Sequence, residues 1–198
     1  MVEEFSKIGR DLFLSGAVSS HGGNMSVRLG DRILITRRGS MLGHLTEGDL
    51  IETGLEADDS EVALASTEIV VHRAIYAGTN ALAIVHAHPV HTIARSLVED
   101  EIVPIESEAS YLLHKVPVHA TPLTAGSAEV AEVVSEGLRE YKCVVLRGHG
   151  PFATGTVLEE AYQWVSVLEA ACRVLYLRDT LGLPVKEYRE MGGEYRKW

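Results

Sequence analysis

The run Ala81-Leu82-Ala83-Ile84-Val85-His86-Ala87-His88-Pro89-Val90 is the most apolar stretch of the chain, and it restricts the fold more than any other. It is only about ten residues long and carries two histidines and a proline, whereas a membrane span needs roughly 20 apolar residues. Read as a strand over Ala83–His88 that stops at Pro89, it has apolar side chains on both faces. Such a strand belongs in a sheet covered on both sides. The covers are amphipathic helices. Phe5, Ile8, Leu12 and Phe13 recur at helical spacing and predict a helix over about 2–16. Further helices are expected from Ser66 as N-cap to about Tyr76, over about 90–97, and from Ser127 to about Leu138. A long helix over about 157–181 opens with a Thr156/Glu159 capping box and ends at Gly182 and Pro184. Strands are expected at Met25–Leu29 and Ile33–Thr36 around a Gly30-Asp31 turn, at Cys143–Leu146 and at Phe152–Thr154. The segment 99–125 holds three prolines and yields no firm pattern. The whole reads as one α/β domain over 1–198, with helices on both faces of the sheet.

Charge narrows the partners. Eighteen Lys and Arg against 28 Asp and Glu leave a formal net charge of −10. Without a basic block, neither nucleic acid nor an anionic membrane surface is an expected partner. A small anion remains acceptable, because it needs only a local pocket of donors. Met1-Val2-Glu3-Glu4-Phe5 is acidic and does not read as a secretory leader. Cys143 and Cys172 lack CxxC spacing and are expected to be small buried hydrophobes in a reducing cytoplasm.

Histidine is in excess, nine in 198 residues. His86 and His88 stand two apart on the expected strand, so both imidazoles face the same way. That pair suits a divalent metal such as zinc, or it is a partly solvated pair at a strand end. His149, between Gly148 and Gly150 after another strand, sits where α/β folds gather ligand groups, and it also fits an ordinary turn. Glu68 opens a helix, where acids are favoured by the helix dipole alone. His72, four residues on, is either its exposed partner or a rival metal ligand. His21, His44, His91, His114 and His119 show no ligand spacing and are expected to be structural or on the surface.

Three polar loops could converge on a phosphate. Gly23-Asn24 offers backbone N–H groups and an amide, Arg38-Gly39 a cation with Arg37 beside it, and Ser66-Thr67 hydroxyls at a helix start. Neither a Walker sequence nor GxGxxG occurs, so a nucleotide is not indicated.

Taken together, Gly22-Gly23-Asn24-Met25-Ser26-Val27, Leu34-Ile35-Thr36 with Gly39, Ser66-Thr67-Glu68 with His72, His86-Ala87-His88 and His149-Gly150 occur in the order and spacing of the class II aldolase/adducin family. The chain resembles that family from about residue 5 to 180, and within it the L-fuculose-1-phosphate aldolase type. The resemblance implies a three-layer α/β/α sandwich with a mixed central sheet and a cytoplasmic homotetramer. It implies one zinc per subunit on His86, His88 and His149, and a catalytic Glu68 that also ligates zinc before substrate arrives. It implies phosphate binding at Gly23, Asn24, Arg38, Gly39, Ser66 and Thr67, and retro-aldol cleavage of a ketose 1-phosphate into dihydroxyacetone phosphate and an aldehyde such as lactaldehyde.

Two positions depart from the pattern. Arg38 stands where these aldolases usually carry a small hydroxyl residue. No tyrosine aligns at Glu106-Ser107-Glu108, where the family aldolase uses one; Glu108 and Tyr111 are the nearest candidates, and Tyr188 and Tyr195 lie near the end of the chain. Other chemistries share the scaffold. His149-Gly150-Pro151-Phe152-Ala153 resembles the pentulose-5-phosphate 4-epimerases, which carry aspartate in place of Glu68. A sugar-acid phosphate decarboxylase or dehydratase is a further option. An adducin-like interaction module would be expected to lack the three histidines.

Overall fold

The computed structural model describes residues 1–186. Its elements are α1 (Val2–Leu14), β1 (Asn24–Leu29), β2 (Arg32–Thr36), β3 (Leu50–Gly54), α2 (Ile69–Gly78), β4 (Ala83–His86), α3 (Val90–Ser96) and β5 (Glu101–Ile102). They continue with α4 (Ser107–Leu112), β6 (Val116–His119), α5 (Ala128–Gly137), β7 (Cys143–Leu146), β8 (Gly150–Gly155) and α6 (Leu158–Leu181). The eight strands form one sheet in the order β3-β2-β1-β4-β8-β7-β6-β5. Only β6 and β7 pair in parallel, so the sheet is mixed.

The apolar run does what its composition demands. Ala83, Ile84, Val85 and His86 are fully buried in the middle of the sheet. Alternation sends Ala83 and Val85 into one core with Phe5, Ile8 and Leu12 of α1 and Val165 and Leu168 of α6. Ile84 joins Val144 and Phe152 in the second core, against Val71, Ile75 and Tyr76 of α2 and Val130 and Val134 of α5. These two cores are the inner surfaces of an α/β/α sandwich. Cys143 and Cys172 are free and buried, as expected of small hydrophobes. Among the described residues, no helix is long and apolar enough to cross a membrane.

Local details differ from the sequence reading. α2 begins at Ile69 with Glu68 as its N-cap, so Ser66 is not the cap. Ser66 Oγ instead accepts the Glu68 N–H at 3.3 Å within the preceding turn. The carboxylate that receives the Thr156 N–H and hydroxyl is that of Glu160, at 2.6 and 2.9 Å, rather than Glu159, because α6 starts one residue later, at Leu158. β4 stops at His86 rather than His88. Beyond it, Ala87 N–H donates to Pro151 O at 3.3 Å and His88 N–H to Ala17 O at 2.8 Å.

Candidate active site

The site sits where the ends of β1 and β4 meet the loops before α2, α5 and β8. A cavity of about 190 Å³ is lined there by Gly23, Asn24, Arg38, Gly39, Ser66, Thr67, Glu68, His86, His88 and His149. The three histidines, Glu68 and the six residues expected to hold a phosphate thus border one space. His21, which has no ligand spacing, borders it too, as do Arg37, Ser40 and Ala125.

The histidines converge although the chain separates them. His86 Nε2 lies 3.0 Å from His88 Nε2 and 3.2 Å from His149 Nε2. His149 reaches them because of the residue that follows it. Gly150 has φ +150°, and a Cβ there would lie 2.1 Å from the Ala87 carbonyl oxygen. Only glycine lets the two backbones approach so closely. Phe152 stacks on the His86 ring, with centroids 4.0 Å apart, and fixes its plane.

Electrostatics keep these rings neutral. Burial, then the neighbouring rings of His149 and His88, holds His86 far below the usual histidine range. His88 is lowered to about 4, by burial first and by His149 second. Burial lowers His149 as well; the Thr124 backbone offsets this in part, although His149 Nδ1 falls short of full hydrogen-bond geometry. His86 Nδ1 donates to Pro151 O at 2.9 Å, which leaves Nε2 as a bare lone pair. One in-plane lone pair cannot serve two ring N–H donors at once. Three neutral nitrogens facing a common point are therefore a donor set for a divalent cation of the zinc type.

Glu68 is only 4% exposed and borders the same cavity, but it is not part of the three-histidine cluster. Burial raises its pKa above the ordinary carboxylate value, and the Gly126 N–H, donating to Oε2 at 3.1 Å, opposes the rise. Gly126 gives no metal or phosphate signal in the sequence; only its place in a turn just before the Ser127 cap of α5 marks it.

The three polar loops border the same cavity. Arg37 is engaged with Asp49 at 2.9 Å, while Arg38 borders the cavity with no ion pair among the described residues. His72 is neither an exposed partner of Glu68 nor a metal ligand. It is fully buried and hydrogen-bonded to Ser26 and Asn24, because its side chain points under the sheet from the inner face of α2. Of the other histidines, His91 pairs with Glu169 at 2.7 Å and serves the packing of α3 on α6. Glu106 caps α4, and neither Glu108 nor Tyr111 borders the cavity. Tyr188 and Tyr195 lie outside the described residues.

Comparison with known proteins agrees with this geometry. An L-fuculose phosphate aldolase from Methanococcus maripaludis is 31% identical over 179 residues, covering 90% of this chain and 97% of the relative. A 3-oxo-tetronate 4-phosphate decarboxylase from Pectobacterium atrosepticum is 30% identical, covering 88% of this chain and 83% of the relative. Among solved structures, L-fuculose-1-phosphate aldolase from Thermus thermophilus superposes with a TM-score of 0.87 at 38% identity, covering 93% of this chain and 97% of that one. The family model for the Class II Aldolase and Adducin N-terminal domain matches residues 3–176. With that match spanning the sheet, both helical layers and every residue of the histidine cluster, the chain belongs to the class II aldolase and adducin family.

Proposed function

We propose that this chain is a zinc-dependent aldolase that reversibly cleaves a ketose 1-phosphate of the L-fuculose 1-phosphate type into dihydroxyacetone phosphate and an aldehyde such as lactaldehyde. The observation that carries the reading is the meeting, in one cavity, of three convergent neutral imidazoles, a buried carboxyl and the polar loops that hold Asn24, Arg38, Ser66 and Thr67. His86, His88 and His149 would hold the cation, with Glu68 as a further ligand before substrate binds. Such a cation supplies Lewis-acid stabilisation for the negative charge that develops when the C3–C4 bond breaks.

The chain's own residues do the rest. Gly23, Asn24, Arg38, Gly39, Ser66 and Thr67 bind the phosphate and hold the substrate in register, so binding energy becomes positioning. Glu68 moves the proton at the carbon that ends in dihydroxyacetone phosphate. A carboxyl whose pKa is raised by burial suits that exchange, since it takes up and releases a proton closer to neutrality. The same reading takes the chain as a single cytoplasmic domain that acts as a homotetramer.

A second reading rests on the decarboxylase relative. Loss of carbon dioxide from a 3-oxo acid phosphate also leaves charge on an enolate and needs the same cation and phosphate grip. The deciding experiment is a panel of ketose 1-phosphates, pentulose 5-phosphates and 3-oxo-tetronate 4-phosphate. Released dihydroxyacetone phosphate is captured by a coupled reductase, and carbon dioxide and epimer formation are followed in parallel. Dihydroxyacetone phosphate from a ketose 1-phosphate supports the aldolase. Carbon dioxide or a C4 epimer without it refutes that assignment.

A further inference from the structure

Beneath the cavity floor lies a polar chain of which only the Asn24 end has a part in the proposed reaction. Asn24 and Ser26 are two apart on β1 and face the same way; His72 and Tyr76 are four apart on α2. Tyr76 OH lies 2.8 Å from Ser26 Oγ, Ser26 Oγ lies 2.6 Å from His72 Nδ1, and His72 Nε2 lies 2.6 Å from Asn24 Oδ1. Ser26 and His72 have no exposure, Tyr76 has 1% and Asn24 6%. The far end of the chain is the Asn24 side chain, which borders the cavity.

Hydrogen counting fixes the direction of this chain. In one direction Tyr76 donates to Ser26, Ser26 donates to His72 Nδ1, and His72 Nε2–H donates to Asn24 Oδ1. Every hydrogen then has an acceptor. In the reverse direction Asn24 donates to His72 Nε2, His72 Nδ1–H to Ser26, and Ser26 to Tyr76. The phenolic hydrogen of Tyr76 is then left without an acceptor among the described residues, and a buried orphan donor is strongly disfavoured. A doubly protonated His72 leaves the same orphan and adds a buried charge. Among the described residues no carboxylate faces the ring to support that charge; Arg28, close to Tyr76, and His86 are the ionisable groups nearby.

We propose that His72 is a positioning residue that locks the Asn24 side chain with its amide NH2 toward the cavity, so that the site presents a hydrogen-bond donor to a bound phosphate. Without the lock, the Asn24 amide could turn its oxygen toward the anion and repel it. Sequence spacing does not show this link, because Asn24 and Ser26 are distant in the chain from His72 and Tyr76. The inference rests on the phosphate reading of the cavity given above.

The test uses the intact protein and two readouts. The first is nitrogen-15 NMR of the His72 ring at neutral pH, which needs neither a ligand nor a variant. The expected result is a proton on Nε2 and a bare Nδ1; a proton on Nδ1 overturns the proposal. The second is titration with inorganic phosphate of the wild type, His72→Phe, His72→Gln and Arg38→Ala. His72→Phe should bind phosphate roughly tenfold or more weakly, the worth of one hydrogen bond to a charged group. His72→Gln, whose amide N–H can reach Asn24 Oδ1, should recover most of that loss. Equal affinity of His72→Phe and wild type, with Arg38→Ala weakened, sinks the lock and leaves the phosphate reading standing. Absence of phosphate binding by the wild type sinks both.

Discussion

Acid should unfold this protein partly through one buried ring, and the effect can be isolated. Burial lowers His72 to about 3, from 6.5 in a solvated chain. The unfolded state therefore takes up a proton near pH 6.5 that the folded state refuses until about pH 3. Because the unfolded chain binds more protons, the stability that His72 contributes is complete above pH 6.5 and drains away as the pH falls toward 3. Between pH 7 and pH 5 the unfolded ring gains about 1.5 pH units of protonation at about 1.36 kcal/mol each, or roughly 2 kcal/mol. His86, His88, His119 and His149 are shifted downward too, so the wild type should lose more than this. Glu68, shifted upward, works weakly in the opposite direction. These five groups are common to wild type and His72→Gln, so the difference between the two isolates the one ring. The assay is urea unfolding of both proteins at pH 7 and pH 5, with a chelator present to keep metal off the site. His72→Gln is expected to lose about 2 kcal/mol less than wild type between the two pH values. Equal losses would refute the claim that His72 is buried and neutral.

Three further substitutions probe the site. Glu68→Gln should retain metal yet lower turnover by roughly 10²- to 10⁴-fold, the usual worth of a positioned proton-transfer group; unchanged turnover rejects that role. Arg38→Ala should raise KM for a phosphorylated substrate about tenfold or more while an unphosphorylated analogue is unaffected, and equal weakening of both would remove Arg38 from the phosphate grip. Gly126 has φ +56°, and a Cβ there would stand 2.8 Å from the Thr67 carbonyl oxygen, so Gly126→Ala should shift the loop that clamps Glu68. Its kcat should fall roughly tenfold with metal content intact, and an unchanged kcat means the clamp does not matter.

What could be read from the sequence was local or strongly periodic. The buried strand at Ala83, the Gly30-Asp31 hairpin and the long final helix all carry their signal within a few residues. The edge strand β3 was not legible, because Glu52 faces solvent and only Ile51 and Thr53 are buried in a run of five. Nor were β5, α4 and β6, which are two, six and four residues long and hold Pro117 within a strand. Their pairing comes from neighbours distant in the chain. In the site, the residues that converge on the cavity were legible because metal and phosphate chemistry demand particular residue types. His72 was misplaced, because a helical spacing of four from Glu68 does not tell which face of α2 is buried. Gly126 went unseen because its contribution is a backbone N–H, which every residue but proline carries.

The most direct trial of the central claim is elemental analysis of protein purified without chelator, for wild type and for His149→Ala. If rings from two distant parts of the chain grip one cation, the wild type should contain about one zinc-type ion per subunit and His149→Ala should lose most of it. Wild-type protein free of any transition metal, or a His149→Ala variant that keeps a full complement, would contradict the account.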